Sequence, residues 1–293
     1  RDKHSGVEKA TSVLNKLNEV NPPPPEVETS PWRYRVQRGR LVAMTLENGA
    51  YTEFIEPVKG LLLRELTLNN CPKLTDLTAL KGMAIGSLVL NDCTALEDLT
   101  ALKGMPLDTL TLRNCPQLSD ISPLAGMPLT SLIIEGCGNI ADISLLKDMP
   151  LGRLEIDSLG AKDLAVLQGM PIKQLALGSM EPDVPALPVK DLSFLEGMPL
   201  ERLRLRCDGA SDISALSEMP LRELAITSDT LADLSPLNTL EHLESLALSC
   251  GRLESIDALE GLSLTRLSLS YCDQLKNIAV LKGMPIAWLS LDL

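Results

Sequence analysis

Seven cysteines are the first residues in this 293-residue chain whose type and spacing could do chemistry. Cys71, Cys93, Cys115 and Cys137 recur every 22 residues, and Cys272 falls in the same register. Thiolates bind soft metals or exchange disulfides, but metal ligands must converge on a point. A fixed step lays these thiols along a line instead, one per repeated layer, about 5 Å apart. Leu159 and Met180 fill the same slot in other layers, which suits an apolar position supporting the turn out of a strand. Cys207 and Cys250 come one residue early and are expected to be more exposed. The odd count leaves at least one thiol outside any intrachain disulfide and is too sparse for a disulfide scaffold. We read no metal site and no cofactor in this pattern.

A second ladder is acidic: Asp76, Asp98, Asp120, Asp142, Asp163, Asp191, Asp212 and Asp233, continued by Ser255 and Asn277. Asp, Ser and Asn share the ability to accept hydrogen bonds from the free N–H groups that open a helical turn. Capping explains all three residue types; a calcium ladder does not explain Ser255. Catalysis has little to draw on. The histidines are His4, in an N-terminal tail, and His242, in a connecting segment, and no nucleophile–base–orienter set can be assembled. No Gly-rich nucleotide loop, HRD or DFG motif occurs, so the chain is not expected to transfer phosphate. No catalytic residue is assigned.

The elements that position these ladders are set by leucine, which makes up 60 of the 293 residues. A Leu-x-Leu pair (Ile for the second in two cases, Leu-Ile-Ile in another) begins at Leu66, Leu88, Leu110, Leu132, Leu154, Leu175, Leu203, Leu224, Leu246, Leu267 and Leu289. Alternation of period two is that of a strand with one buried face. In the third repeat Leu107, Leu110, Leu112, Cys115, Leu118, Ile121, Leu124 and Met127 are the apolar set, and the remaining positions are polar or turn-forming. One such unit cannot bury enough surface to order itself; stacked units close each other's apolar faces, which defines a solenoid.

The pattern L-x-x-L-x-L-x-x-C/N-x-L is the leucine-rich-repeat signature, and its short form resembles the internalin-like and SDS22-like class. The recurrent Lys-Gly-Met-Pro-Leu phrase or its variants, at Met105, Met127, Met149, Met170, Met198, Met219 and Met284, is similar to repeat arrays attached to serine/threonine kinases of planctomycete-type bacteria. Gly39-Arg40-Leu41-Val42 and Ile55-Glu56-Pro57-Val58 resemble the segment that opens those arrays. The expected fold class is α/β: a leucine-rich-repeat solenoid, or horseshoe, with a parallel concave sheet and 3₁₀ or single-turn helices on the convex side. Three regions are expected: an amphipathic helix and Pro-rich linker over 1–31, a capping hairpin over 32–60, and an array of eleven strands over 61–293. Val7, Ala10, Leu14 and Leu17 are the expected buried face of the helix, and Pro22–Pro25 a stiff spacer. The hairpin's alternative use is a basic docking arm of Arg33, Arg35, Arg38 and Arg40 beside Trp32 and Tyr34. The sequence opens at Arg1 without a leader and closes at Leu293 on a strand, so it reads as a fragment or processed product.

Charge limits the partners. The chain carries 27 basic and 39 acidic residues, a net −12, and only residues 1–40 are locally basic. An acidic body repels phosphate backbones, so nucleic acid is not expected as a partner. No apolar run is long enough to span a bilayer.

Recognition then falls to the outward strand positions. The first four repeats offer a bland strip of Thr67, Val89, Thr111 and Ile133. Repeats five to seven offer Arg153, Glu155 and Asp157, then Gln174, Ala176 and Gly178, then Arg202, Arg204 and Arg206. Small residues between two charged rungs should leave a shallow depression. A long insertion near Glu181–Lys190, with Pro182, Pro185 and Pro188, should stand at its rim. Two readings stay open: Arg202 or Arg204 pairs with Glu155, Glu201 or Glu223 on a solvated sheet, or these side chains meet a ligand. Tyr271 and Trp288 form a secondary candidate. The expected function is a non-catalytic protein- or peptide-binding scaffold. The alternative is a sensor or targeting part of a kinase-linked signalling protein, with an extracytoplasmic or membrane-tethered placement favoured over a cytoplasmic one.

Overall fold

The structure, a computed structural model, describes residues 4–22, 31–157, 164–179 and 186–292. The proposed proline spacer beyond Pro22, Asp163, the slot residues Leu159 and Met180, the first part of the insertion (181–185) and Leu293 lie outside the described residues. The chain packs as two compact units, the first running to Pro150 and the second beginning at Leu151.

The first unit opens with helix α1 (His4–Val20), followed by an antiparallel hairpin of β1 (Trp32–Gln37) and β2 (Arg40–Leu46). Arg38 and Gly39 form its two-residue turn with φ of 51° and 73°, the left-handed pair that suits the twist of a hairpin. Strand β2 pairs in parallel with β3 (Glu65–Asn69), and β4 (Ser87–Asn91), β5 (Thr109–Arg113) and β6 (Ser131–Glu135) follow in chain order. The second unit is wholly parallel: β7 (Arg153–Ile156), β8 (Gln174–Leu177), β9 (Arg202–Arg206), β10 (Glu223–Thr227), β11 (Ser245–Ser249), β12 (Arg266–Ser270) and β13 (Trp288–Asp292).

Register follows leucine. Leu66, Leu88, Leu110 and Leu132 are direct partners in the first unit, and Leu154, Leu175, Leu203, Leu224, Leu246, Leu267 and Leu289 in the second. All but Leu289 of the last strand are buried, and a slip of one residue would turn those side chains to solvent. Each coil is closed by the apolar residues of its return path; in the third, Leu107, Leu118, Ile121, Leu124 and Met127 are all buried. The return path itself is a short 3₁₀ turn, such as Thr100–Leu102 or Ser214–Leu216. Both units are leucine-rich-repeat solenoids.

Two local devices make the turns. The ladder aspartate accepts the backbone N–H two residues on: Asp98 from Thr100 at 2.7 Å, Asp142 from Ser144 and Asp212 from Ser214 at 2.8 Å. Ser255 and Asn277 accept in the same way from Asp257 and Ala279. The glycine of the Lys-Gly-Met phrase then reverses the chain at positive φ, 73° at Gly104. A Cβ there would meet nothing within 4 Å, so glycine is favoured by the dihedral and not by crowding. Glu218 takes this position at φ 62°, and its N–H donates to Thr239 Oγ1 at 2.9 Å.

The buried face of α1 differs from the expected one. Gly6, Ala10, Val13 and Leu17 face the protein, whereas Val7 is 42% exposed and Leu14 half-buried. Close approach decides this: a Cβ on Gly6 would sit 2.7 Å from Gly39 O and from Val36 Cγ1, so the glycine lets the helix lie against the hairpin. The buried Asn21 ends the helix. Its amide donates to Phe54 O at 2.6 Å, while its oxygen accepts from Glu53 and Phe54 N–H at 2.8 and 2.9 Å. No described helix is long and apolar enough to cross a membrane.

Candidate binding surface

The outward positions of β7 to β11 form a grid, because parallel pairing in register places like positions side by side. One column runs Arg153, Gln174, Arg202, Glu223, Ser245, and the next Glu155, Ala176, Arg204, Ala225, Ala247. Together they line a depression of about 320 Å³ on the outward face of the second unit.

Glu155 organises its charge. The side chain is only 11% exposed, and both oxygens are engaged. Oε1 accepts from Arg153 Nε and Nη2 at 2.9 and 2.6 Å, and Oε2 accepts from Arg204 Nη2 at 2.9 Å. Arg204 lies two strands away, roughly 10 Å at ordinary sheet spacing, and reaches Glu155 across Ala176, whose side chain ends at Cβ. Arg202 Nε stands 3.2 Å from Glu223 Oε1, with both side chains about half exposed. The pairs Arg204–Glu155 and Arg202–Glu223, two of those expected on a solvated sheet, are therefore formed, and they stand at the edge of the expected depression.

The remaining candidates fall differently. Arg206 Nη1 donates to Ser179 O at 3.0 Å, bracing the strand exit and not the depression. Gly178 enables that approach: at φ 82°, a Cβ would meet Arg206 O at 2.4 Å. Asp157 is half-buried at the exit of β7 and does not line the depression. The described end of the insertion returns to this edge, where Leu187 N–H donates to Arg206 O at 3.3 Å. Tyr271 and Trp288 are 70% and 53% exposed, and neither lines the depression. Sequence reasoning stopped short of Ala225, Ser245 and Ala247, which extend the floor. The signal was present, since these residues repeat the outward slots of β9 in the next two strands.

In the first unit the same columns are quiet. Thr67, Val89 and Thr111 are half-buried and Ile133 is buried. Asn91 donates to Asn69 at 2.8 Å, and Arg113 pairs with Glu135.

All seven thiols are free and buried. Cys207 and Cys250 are thus not the exposed pair their offset suggested. They follow the second strand leucine by two residues where Cys115 follows it by three, so a turn one residue shorter delivers them to the same interior slot. Ser228 occupies that slot in the intervening coil, fully buried, accepting from Leu231 N–H at 3.3 Å. Burial pushes the Cys250 thiol up to about 12 and that of Cys207 to about 11. Among the described residues no group of three or more His, Cys, Asp or Glu is placed to hold a metal ion, and His242 is exposed.

No family model and no curated protein matches this chain. Solved structures do. An internalin, InlF, from Listeria monocytogenes aligns with a TM-score of 0.65 over 85% of this chain and 73% of its own, at 22% identity. The functional domain of InlJ from the same organism, described as including a cysteine ladder, aligns with a TM-score of 0.53 over 86% of this chain and 63% of its own, at 17% identity. The likeness is one of fold: an internalin-like leucine-rich-repeat solenoid.

Proposed function

We propose that this chain is a non-catalytic scaffold that binds a protein or peptide on the outward sheet face of its second unit, over β7 to β9 and the floor that continues to β11. The observation that carries the reading is the depression itself, where three arginines and two glutamates stand over alanine and serine rungs. Glu155, nearly buried among them, ties Arg153 to Arg204 and fixes where those guanidinium groups stand. Arg153, Glu155, Arg202 and Arg204 line the surface, Arg206 and Asp157 flank it at the strand exits, and Tyr271 and Trp288 offer a second, smaller patch. The acidic body of the chain disfavours nucleic acid. Replacing Arg202, Arg204 and Arg206 by Glu should abolish capture of the partner in a pull-down with the purified protein, while a cooperative melting curve shows the variant still folded, at a lower midpoint because Glu155 loses Arg204. Capture at wild-type level would remove this patch from consideration.

A second reading rests on the Lys-Gly-Met-Pro phrase and the opening segment, which resemble repeat arrays joined to bacterial kinases, and on the amphipathic N-terminal helix. There the scaffold would act as the sensing or targeting part of a larger signalling protein, placed outside the cytoplasm or tethered to a membrane. The uninterrupted reading frame, together with cell fractionation, separates it from a free-standing binder.

A further inference from the structure

We propose that the depression on β7 to β11 reads carboxylates: it takes an aspartate or glutamate side chain of an acidic peptide segment onto Arg202 and Arg204, and Glu155 is its resident competitor. This rests on the binding-scaffold reading above and adds the chemistry of the ligand.

The protein already displays the mode of recognition. The Glu155 carboxylate is held between Arg153 and Arg204, one oxygen to each. It leaves most of the arginine donors unused, since a guanidinium offers five N–H groups. Arg204 commits Nη2 to Glu155, and Arg202 sets Nε against Glu223. Their side chains are 52% and 55% exposed, so about half of each remains accessible to a ligand. Ala176, Ala225 and Ala247 bring no acceptor to meet them. The sign of the ligand follows. A basic segment would meet Glu155, whose oxygens are taken and whose side chain is 11% exposed, and Glu223, which is already set against Arg202. An acidic segment finds open, forked donors that match a planar carboxylate. In a chain of net charge −12, a depression where three arginines stand against two glutamates keeps a local excess of positive charge, which favours an anion.

Glu155 gives the idea its sharpest consequence. Removing its charge while keeping its shape frees Arg153 and Arg204 for the ligand, so Glu155→Gln should strengthen binding, whereas loss of an ordinary structural ion pair should weaken it or do nothing. The test is fluorescence anisotropy with labelled peptides of alternating Asp-Gly, Asn-Gly and Lys-Gly, at low and at physiological salt. The Asp-Gly peptide should bind at least about tenfold tighter than the other two, the factor expected from a charge-assisted contact. The Arg202→Gln/Arg204→Gln variant should lose about tenfold or more, and Glu155→Gln should gain severalfold, with melting curves showing each variant folded. Equal binding of the Asn-Gly peptide, or a Glu155→Gln variant no tighter than wild type, would overturn the proposal. An Ala247→Trp variant, which fills the floor without touching a charge, separates this from the broader reading. If it blocks capture of the natural partner while the acidic peptide fails to bind, the carboxylate subsite falls and the scaffold reading stands. If partner capture is unaffected, both fall.

Discussion

The outward rungs of β3 to β6 and those of β7 to β10 sit on coils with the same interior. Behind both, the strand leucines are fully buried and partnered in register. In front, the first unit shows Thr67, Val89, Thr111 and Ile133, and the second shows Glu155, Ala176, Arg204 and Ala225. Interior positions are bound by the stacking of coil on coil, so they cannot differ much. Outward positions are released from that constraint, and whatever distinguishes one stretch of the array from another must be written there.

The comparison can be broken first at its shared half. Leu112→Ala in the first unit and Leu205→Ala in the second should each cost about 2–5 kcal/mol in denaturant melts, as large-to-small changes in tight cores do. A cost confined to one unit would show that the interiors are not equivalent. The unshared half comes next. Three glutamates at Arg202, Arg204 and Arg206 should lower partner affinity by about tenfold or more, while three at Thr67, Val89 and Thr111 should leave it unchanged in the same titration. Equal losses would dissolve the distinction between the faces.

The thiols supply a third test, because they lie in both units. Cys93 gains acidity from its hydrogen bond with Cys115, but the bond with Cys71 and burial outweigh it and push the thiol up to about 12. A raised folded value means that the thiol contribution to stability is complete below the unfolded thiol range, near pH 8.5, and is lost as pH rises towards 12. Native protein should therefore stay unreactive to an aromatic disulfide reagent at neutral pH and release all seven thiols only on unfolding. Partial labelling in the native state would mark a coil that opens locally. The smallest effect belongs to the acidic ladder. Hydrogen bonds from the following serine or threonine, side chain and backbone, hold Asp98, Asp142, Asp212 and Asp233 below the usual carboxylate range. Their contribution is present above about pH 4 and lost as pH falls below it. Asp98→Asn with Asp142→Asn, and Asp212→Asn with Asp233→Asn, should flatten the acid limb of stability to the same slight degree while leaving the neutral melting temperature nearly unchanged.

Much of the fold was legible because the repeat states its own register. The Leu-x-Leu pairs locate β3 to β13, and the aspartate ladder marks the turn it caps. The helix face was not legible, since Gly6 contributes no hydrophobicity to a periodic pattern and its role lies in the closeness of Gly39 and Val36. Cys207 and Cys250 were misplaced for a related reason: their one-residue offset is visible in the sequence, but that the turn shortens to return the side chain to the interior is a matter of backbone geometry. At the candidate surface the charged rungs could be read, but the reach of Arg204 across Ala176 to Glu155 could not. That contact depends on two strands being neighbours of a third.

That shortened turn bears on how such a chain can change length. Where the longer form occurs, its additional residue sits at positive φ, as Asn70, Asp92, Asn114 and Tyr271 do at 50–54°. Where it is deleted, Cys207, Ser228 and Cys250 still fill the interior. A single codon can thus be lost or gained at this point of a coil without shifting any leucine. The residue gained is one displayed to solvent, as Tyr271 is, so the rim can be edited letter by letter while the stack behind it stays in phase.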